Sequence, residues 1–368
     1  MTVPRVPEIN PERLKNLLKE MIDIYSPSGK EEEIVEFIEG YLTKFGIIVR
    51  RQEVDENRYN LIVFPDNGFD ADICFIGHTD TVTAYDLEDF GHYEESGIIY
   101  GLGAADMKAG CAAMIEAFIT LHEAGVQKPV GLALIVGEEE DNAGARELIK
   151  EYGFPWALIG EPTNLAPCLG HYSYLEVILR TQGKRAHSSM PEHGQNAIET
   201  MLKLLLRFTD YAANNKHGLV YNLRELSGFP GGFVVPDACE AFLDIHLPPN
   251  SHIGMIKTEL EKLVSLSHKE ITGMNAELRF ESTFSGYRIS DERPLVQKLH
   301  SVYDTMSLPW EPQDFRSQSD GNILWTAGVD PIVLGPGRLE EAHTPEESVP
   351  FLQVIDATRI YLNYALSV

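Results

Sequence analysis

Apolar runs of strand length, each ended by glycine or by charge, alternate with amphipathic stretches through the first 172 residues. The run Ile73-Cys74-Phe75-Ile76 has no polar position and stops at Gly77, the pattern of a strand buried on both faces. Runs at 130–136 and 156–159 share it, and 47–54, 59–64 and 97–100 read as further strands. Between them apolar residues recur at helical spacing over 11–25, 107–123 and 143–152. Asn10-Pro11 has the chemistry of a helix start, and Ser28 with Glu31 has the spacing of a capping box for a second helix that Gly46 closes. Strands alternating with helices predict an α/β fold, a mostly parallel sheet covered by helices.

The rhythm changes after about residue 172. Strands are predicted at 174–181, 219–226, 238–246 and 276–284, with helices over 196–214 and 253–265 between them. Two helices against an antiparallel sheet make an α+β unit of about a hundred residues. From about residue 291 the first rhythm resumes, with a helix at 294–306, strands at 310–315 and 331–334, and helices from 321 and after Pro350. The smaller unit therefore reads as inserted, giving 1–172 and 288–368 to the larger domain and 173–287 to the insert.

A length of 368 residues agrees with two domains rather than one core. Lys and Arg number 30 against 56 Asp and Glu, a net charge of -26 that argues against nucleic acid or an anionic membrane as partner. Small molecules or short peptides fit better. Cys74, Cys111, Cys168 and Cys239 are widely spaced with no C-x-x-C pair, so reduced, buried thiols are expected. The first seven residues have no apolar signal core, and no apolar run approaches the ~18 residues of a membrane span. A cytoplasmic protein is the expectation.

The chemistry sits at strand ends. His78 and Asp80 follow the first buried run two positions apart, a spacing that suits a metal ligand and an orienting carboxylate. Gly101-Leu102-Gly103-Ala104-Ala105-Asp106 lacks the third glycine of a dinucleotide loop and places an acid where a pyrophosphate would lie. Asp106 fits either a helix N-cap or a carboxylate bridging two cations. Gly137-Glu138-Glu139 follows the run 130–136, so one glutamate can ligate while its neighbour faces a water. Glu161 is held before Pro162 after another strand, and His343 lies in the loop after Gly335-Pro336-Gly337. Each has an ordinary explanation alone. Together, two imidazoles and three carboxylates form the donor set of a hydrolytic centre with two divalent cations.

The segments Gly77-His78-Thr79-Asp80-Thr81-Val82, Tyr100 to Lys108 with Asp106 inside it, Gly137-Glu138-Glu139, Gly160-Glu161-Pro162-Thr163 and Ala342-His343-Thr344 resemble motifs of one family. It is the acetylornithine deacetylase, succinyl-diaminopimelate desuccinylase, aminoacylase and carboxypeptidase G family, and the order of motifs and the insert agree with it. The resemblance implies a zinc-peptidase-like catalytic domain with an inserted dimerisation, or lid, domain. It implies two divalent ions, zinc first and cobalt or manganese as alternatives. One ion takes His78, Asp106 and Glu161, and the other takes Asp106, Glu139 and His343. Glu138 is then the general base, Asp80 the partner of His78, and the Asp106-Met107 bond is cis. Gly183 to Ser189 resembles the family's dimerisation motif, which implies a homodimer with His187 acting in the partner's site.

The implied reaction is hydrolysis of an N-acyl amino acid, by an acetylornithine deacetylase-like amidohydrolase. A metallo-dipeptidase or carboxypeptidase is the alternative, and a noncatalytic binding scaffold is an alternative of another class. Arg316 is the candidate cation for a substrate carboxylate. Leu102, Phe233 and His246 stand where the family commonly has arginine, asparagine and arginine, so His246, if protonated, is the candidate replacement for a lost cation.

Overall fold

In the computed structural model, residues 6–84, 90–215, 217–271 and 273–368 are described, so the reading of the extreme N-terminus lies partly outside them. The chain forms two compact units. One comprises Met1–Leu169, Ile289–Phe315 and Ser319–Val368, and the other comprises Gly170–Arg288 with Arg316–Gln318.

The larger unit is built on a sheet with strand order Arg50–Asp55, Arg58–Val63, Val130–Ile135, Ile73–His78, Trp156–Ile159, Asp330–Val333. The four last-named strands pair in parallel, while Arg50–Asp55 and Arg58–Val63 run antiparallel at one edge. The three expected apolar runs are the buried centre, and every residue of Ile73–His78, Val130–Ile135 and Trp156–Ile159 is buried. Helix Lys108–Glu123 is enclosed over its first fourteen residues, which explains its small amphipathic contrast. Helix Phe351–Ser367 packs against it and brings Tyr361 and Tyr364 inside. Their hydroxyls donate to the carbonyls of Leu334 (2.6 Å) and Leu295 (3.0 Å), so neither buried O–H is left unpaired.

Asn10 caps Pro11–Asp23 by accepting the N–H groups of Glu12 and Arg13. Ser28 does not cap Glu32–Lys44, which has no side-chain cap. Its hydroxyl instead donates to Asp80 (2.6 Å), while Glu31 pairs with Arg58 (2.7 Å). A hydrogen bond donated to a charged acceptor is stronger than a neutral one, so the carboxylate rather than the helix amides sets where this hydroxyl sits. Strands Tyr93–Glu95, Cys168–His171 and Ser348–Pro350 are too short to leave a periodic signal. All four cysteines are free and buried, and among the described residues no helix is long and apolar enough to cross a membrane.

The smaller unit is a four-stranded antiparallel sheet, order Val220–Phe229, Ala238–Leu247, Ser173–Gln182, Asn275–Phe284, with helices Ala197–Asn214 and Ile253–Glu270. Ala238–Leu247 alternates strictly, sending Cys239, Ala241, Leu243, Ile245 and Leu247 into a core shared with Met201, Leu204 and Leu260. The edge strand Val220–Phe229 is exposed along most of its length and carries Leu223, Leu226 and Phe229 outward.

His171 in this unit is fully buried, with Nδ1–H directed at the Tyr172 carbonyl and the ring stacked on Tyr287. Burial holds its pKa down at about 4, below the ordinary 6.5. Between those values the unfolded chain binds more protons, so this stability is complete above about pH 6.5 and is lost as the pH falls through about 4. The parent protein is expected to lose roughly 2–3 kcal/mol more than His171→Gln between pH 7.5 and 4.5. Denaturant unfolding checks this, and parallel losses would show that His171 does not titrate in that window.

Candidate metal centre

Three neighbouring parallel strands end at one level. His78 pairs with Ile135 and Ile76 with Ile159, so the carboxyl ends deliver His78, then Glu138 and Glu139, then Glu161 to the same rim. Asp330–Val333, beside Trp156–Ile159, leads through Gly335 toward His343. A side chain at Gly335 would strike the Gly160 carbonyl, so glycine is what lets these two loops meet. Parallel α/β sheets collect their sites at this edge because every loop leaving the strands converges there.

The loop from Tyr100 to Lys108 brings in Asp106. Gly101 has φ +142° and no room for a side chain against Ile22. Asp106 is not a helix cap. Met107 occupies the cap of Lys108–Glu123, the Asp106-Met107 bond is cis, and the carboxylate faces two imidazoles. Its Oδ1 is 3.2 Å from His78 Nε2 and its Oδ2 is 3.4 Å from His343 Nε2. Glu161 Oε1 lies 3.6 Å from His78 Nε2, and Glu139 Oε2 lies 3.0 Å from His343 Nε2. His78, Asp106 and Glu161 form one group of donor atoms within 4.8 Å of one another, and Asp106, Glu139 and His343 form a second.

These residues fit divalent cations. Imidazole nitrogen and carboxylate oxygen are the donors that zinc and similar ions take. Glu161 Oε1 is buried and accepts no hydrogen bond among the described residues, an acceptor that a cation would satisfy. His78 Nδ1 lies 3.0 Å from the Asp80 carbonyl, which fixes the proton there and leaves the Nε2 lone pair for ligation. His343 holds φ +61°, a left-handed conformation uncommon outside glycine and asparagine, and such outliers concentrate at functional sites.

The electrostatics point the same way. Burial first, and then the Asp106 charge, raise Glu161 to about 8 against the pull of His78. Glu139 is also raised, by burial and then by Asp106. Burial opposes charge on His343, but Asp106 and Glu139 outweigh it and lift the imidazole to about 11. His78 is likewise raised against its burial by Glu161, Asp106 and Asp80. Asp106 goes the other way, held below the ordinary carboxylate range against its burial by His343 and His78. Two glutamates that resist ionising around an ionised Asp106, beside imidazoles that hold protons, describe a cavity crowded with acids that calls for positive charge at its centre. Glu138 belongs to neither donor group, is buried, and has its pKa raised well above the ordinary value, first by that burial and then by Glu161, Asp320 and Glu139.

Asp80 does something other than expected. Its carboxylate is 3.7 Å from His78 Nδ1, too long for a hydrogen bond, and the main-chain carbonyl takes that N–H instead. The carboxylate accepts the N–H groups of Gly137 (2.9 Å), Glu138 (3.2 Å) and Glu139 (3.1 Å) and the Ser28 hydroxyl. It fixes the loop carrying Glu138 and Glu139, and positions the imidazole only through its backbone.

His187 and Arg316 belong to the smaller unit. His187 is exposed, with Nδ1 at 2.8 Å from Ser189 Oγ, and Arg316 is exposed with its guanidinium over the Tyr172 ring. Phe233 is 89% exposed, so it contributes no packing. His246 is not the replacement cation. Burial lowers its pKa, and Arg316 lowers it further against Asp244, so the ring is neutral at neutral pH.

The description of peptidase family M20/M25/M40 matches residues 74–367. The chain belongs to this family. Curated relatives of this M20 chain include acetylornithine deacetylases from Edwardsiella ictaluri, 29% identical over 86% of the chain and 85% of the relative, and from Vibrio vulnificus, 27% identical over 91% of each. A tripeptidase from Staphylococcus aureus shares the M20 fold at TM-score 0.81 and 22% identity, covering 98% of this chain and 99% of that one. The M20 chain is a metallohydrolase acting on amide or peptide bonds, which sets aside the noncatalytic scaffold.

Sequence reasoning missed three members of the site. Glu347 accepts backbone N–H groups around Asp106, Ser28 was read as a cap, and Asp320 is buried with Oδ2 accepting no hydrogen bond among the described residues. Asn142 donates to Asp320 Oδ1 (3.1 Å), and burial lifts Asp320 to about 7. The Ser-Asp-Gly run at 319–321 was the available signal for Asp320. Nothing local marks Glu347, because the amides it binds lie more than 240 positions away.

Proposed function

We propose that this chain is an amidohydrolase that removes the acyl group from an N-acyl amino acid, in the manner of an acetylornithine deacetylase. The observation that carries the reading is the pair of donor groups sharing Asp106, with buried Glu138 beside them and in neither. Names of the curated relatives support the substrate class.

His78, Asp106 and Glu161 would hold one divalent cation and Asp106, Glu139 and His343 the other, zinc being first choice for this donor set. Bound there, the cations supply Lewis acidity that acidifies water and polarises an acyl carbonyl. Glu138 accepts a proton from the attacking water as the carbon–oxygen bond forms. It returns that proton to the amine nitrogen as the carbon–nitrogen bond breaks, and the new carboxylic acid gives its own proton to the freed amine, so that a carboxylate and an ammonium leave. The burial of Glu138, which raises its proton affinity, suits both halves, since a carboxyl of ordinary acidity would be a weak base for the first. Asp80 and Ser28 hold the Glu138 loop so that its carboxylate need not be ordered during the reaction.

Resemblance further supports a homodimer in which His187 serves the partner's site by donating to the developing oxyanion. The exposed edge strand Val220–Phe229, with Leu223, Leu226 and Phe229 outward, and exposed Leu202 and Leu206 offer an apolar surface for such pairing. Arg316 is the group proposed to meet the substrate carboxylate.

A peptidase reading has the family's own description in its favour. Protein reconstituted with zinc, cobalt or manganese should be given N-acetyl amino acids and dipeptides in parallel. The expected result is a kcat/KM for acyl amino acids at least ~10-fold above that for dipeptides. The reverse order would replace deacylation with peptide cleavage.

A further inference from the structure

We propose that Glu347 is a positioning residue of the metal centre, locking the loop that carries His343 to the loop that carries Asp106. Glu347 is buried, and its Oε1 accepts the N–H groups of Ala105 (2.9 Å) and Asp106 (2.9 Å) while Oε2 accepts that of Gly103 (3.1 Å). Its own N–H donates to the Thr344 carbonyl, one residue beyond His343, and its carbonyl accepts from Gly101. The next residue, Ser348, pairs with Tyr100. Two segments remote in sequence, each carrying a donor of the second group, are thereby joined through one carboxylate.

Three N–H groups bound to the two oxygens of one side chain leave those amides little freedom. The loop needs such a clamp. Between Gly101 and Met107 it has no helix or strand, and its internal main-chain bonds are a turn from Ala104 to Gly101 and a contact from Lys108 to Gly103. Asp106 must present one oxygen to each group, so a small rotation of this backbone would spoil both at once.

The same construction occurs on the other side of the centre. Asp80, two residues after His78, accepts three N–H groups of the loop bearing Glu139, and Glu347, four residues after His343, accepts three N–H groups of the loop bearing Asp106. Each imidazole therefore shares its loop with an acid that fixes a carboxylate donor from elsewhere. A clamp that served only the fold would have no reason to recur beside both imidazoles.

The proposal rests on the metal centre described above. It is tested by Zn²⁺ competition against a chromophoric chelator, using the metal-stripped full chain, Glu347→Gln, Glu347→Asp and the exposed neighbour Glu346→Gln. Expected is a ~10–100-fold weaker cation affinity in Glu347→Gln, partial recovery in Glu347→Asp and none of this in Glu346→Gln. A Glu347→Gln protein with lowered Tm but parental Zn²⁺ affinity would make the residue structural only and overturn the proposal. Should neither Glu347 variant fold, hydrogen exchange on the parent decides: Zn²⁺ should slow exchange across 103–106, and unchanged exchange would overturn it. A parent chain that binds no Zn²⁺ would sink the metal centre itself, a separate outcome.

Discussion

Replacing Glu138 by glutamine is expected to lower kcat by roughly 10²–10⁴-fold while the protein keeps its fold and its cations. Glutamine preserves the size of a buried side chain and the N–H bond from residue 138 to Asp80, and removes only the ability to take up and return a proton. Because Glu138 belongs to neither donor group, cation content should stay at the parental level. The loss should fall on kcat more than on KM, since the proton moves only as the reaction proceeds. Steady-state kinetics with metal analysis on the same preparation checks this. Near-normal turnover with cations bound would move the base elsewhere, and Asp320, also buried and raised, is the next group to examine.

Asp106→Ala should be more damaging still, because both donor groups lose a member at once. The parent should take up about two equivalents of Zn²⁺ and the variant fewer than about one, with hydrolysis falling to background. Charge adds to the lost ligand. Asp106 sits between His78 and His343 and raises both pKa values, so without it two imidazoles face each other with less to hold them. Glu139→Gln is the contrasting variant, since it removes a donor from one group only and should leave about one cation bound. Equal cation content in parent and Asp106→Ala would mean that the carboxylate is not shared.

What the sequence made legible follows from which interactions are local. The run from Ile73 to Gly77 could only be a buried strand, and once three such runs were parallel neighbours the residues after them had to meet. Hence His78, one of Glu138 and Glu139, and Glu161 were readable as strand-end donors beside the loop residues Asp106 and His343, and the motif resemblance chose Glu139 and divided the five between two cations. Ser28 was not readable. A serine three positions before a glutamate satisfies the capping pattern, but the carboxylate that captures its hydroxyl lies 52 residues away. Asp80 was misread for a related reason: spacing shows that its side chain starts near the imidazole, not that three amides of another loop compete for it. His246 illustrates the limit for electrostatics, because only the fold reveals the burial that keeps it neutral.

Anomalous diffraction from crystals of the zinc-loaded protein tests the central claim most directly. The expected map has two peaks about 3.5–4 Å apart, one bonded to His78, Asp106 and Glu161 and the other to Asp106, Glu139 and His343. Strong peaks elsewhere, with either imidazole ligating nothing, would contradict the account.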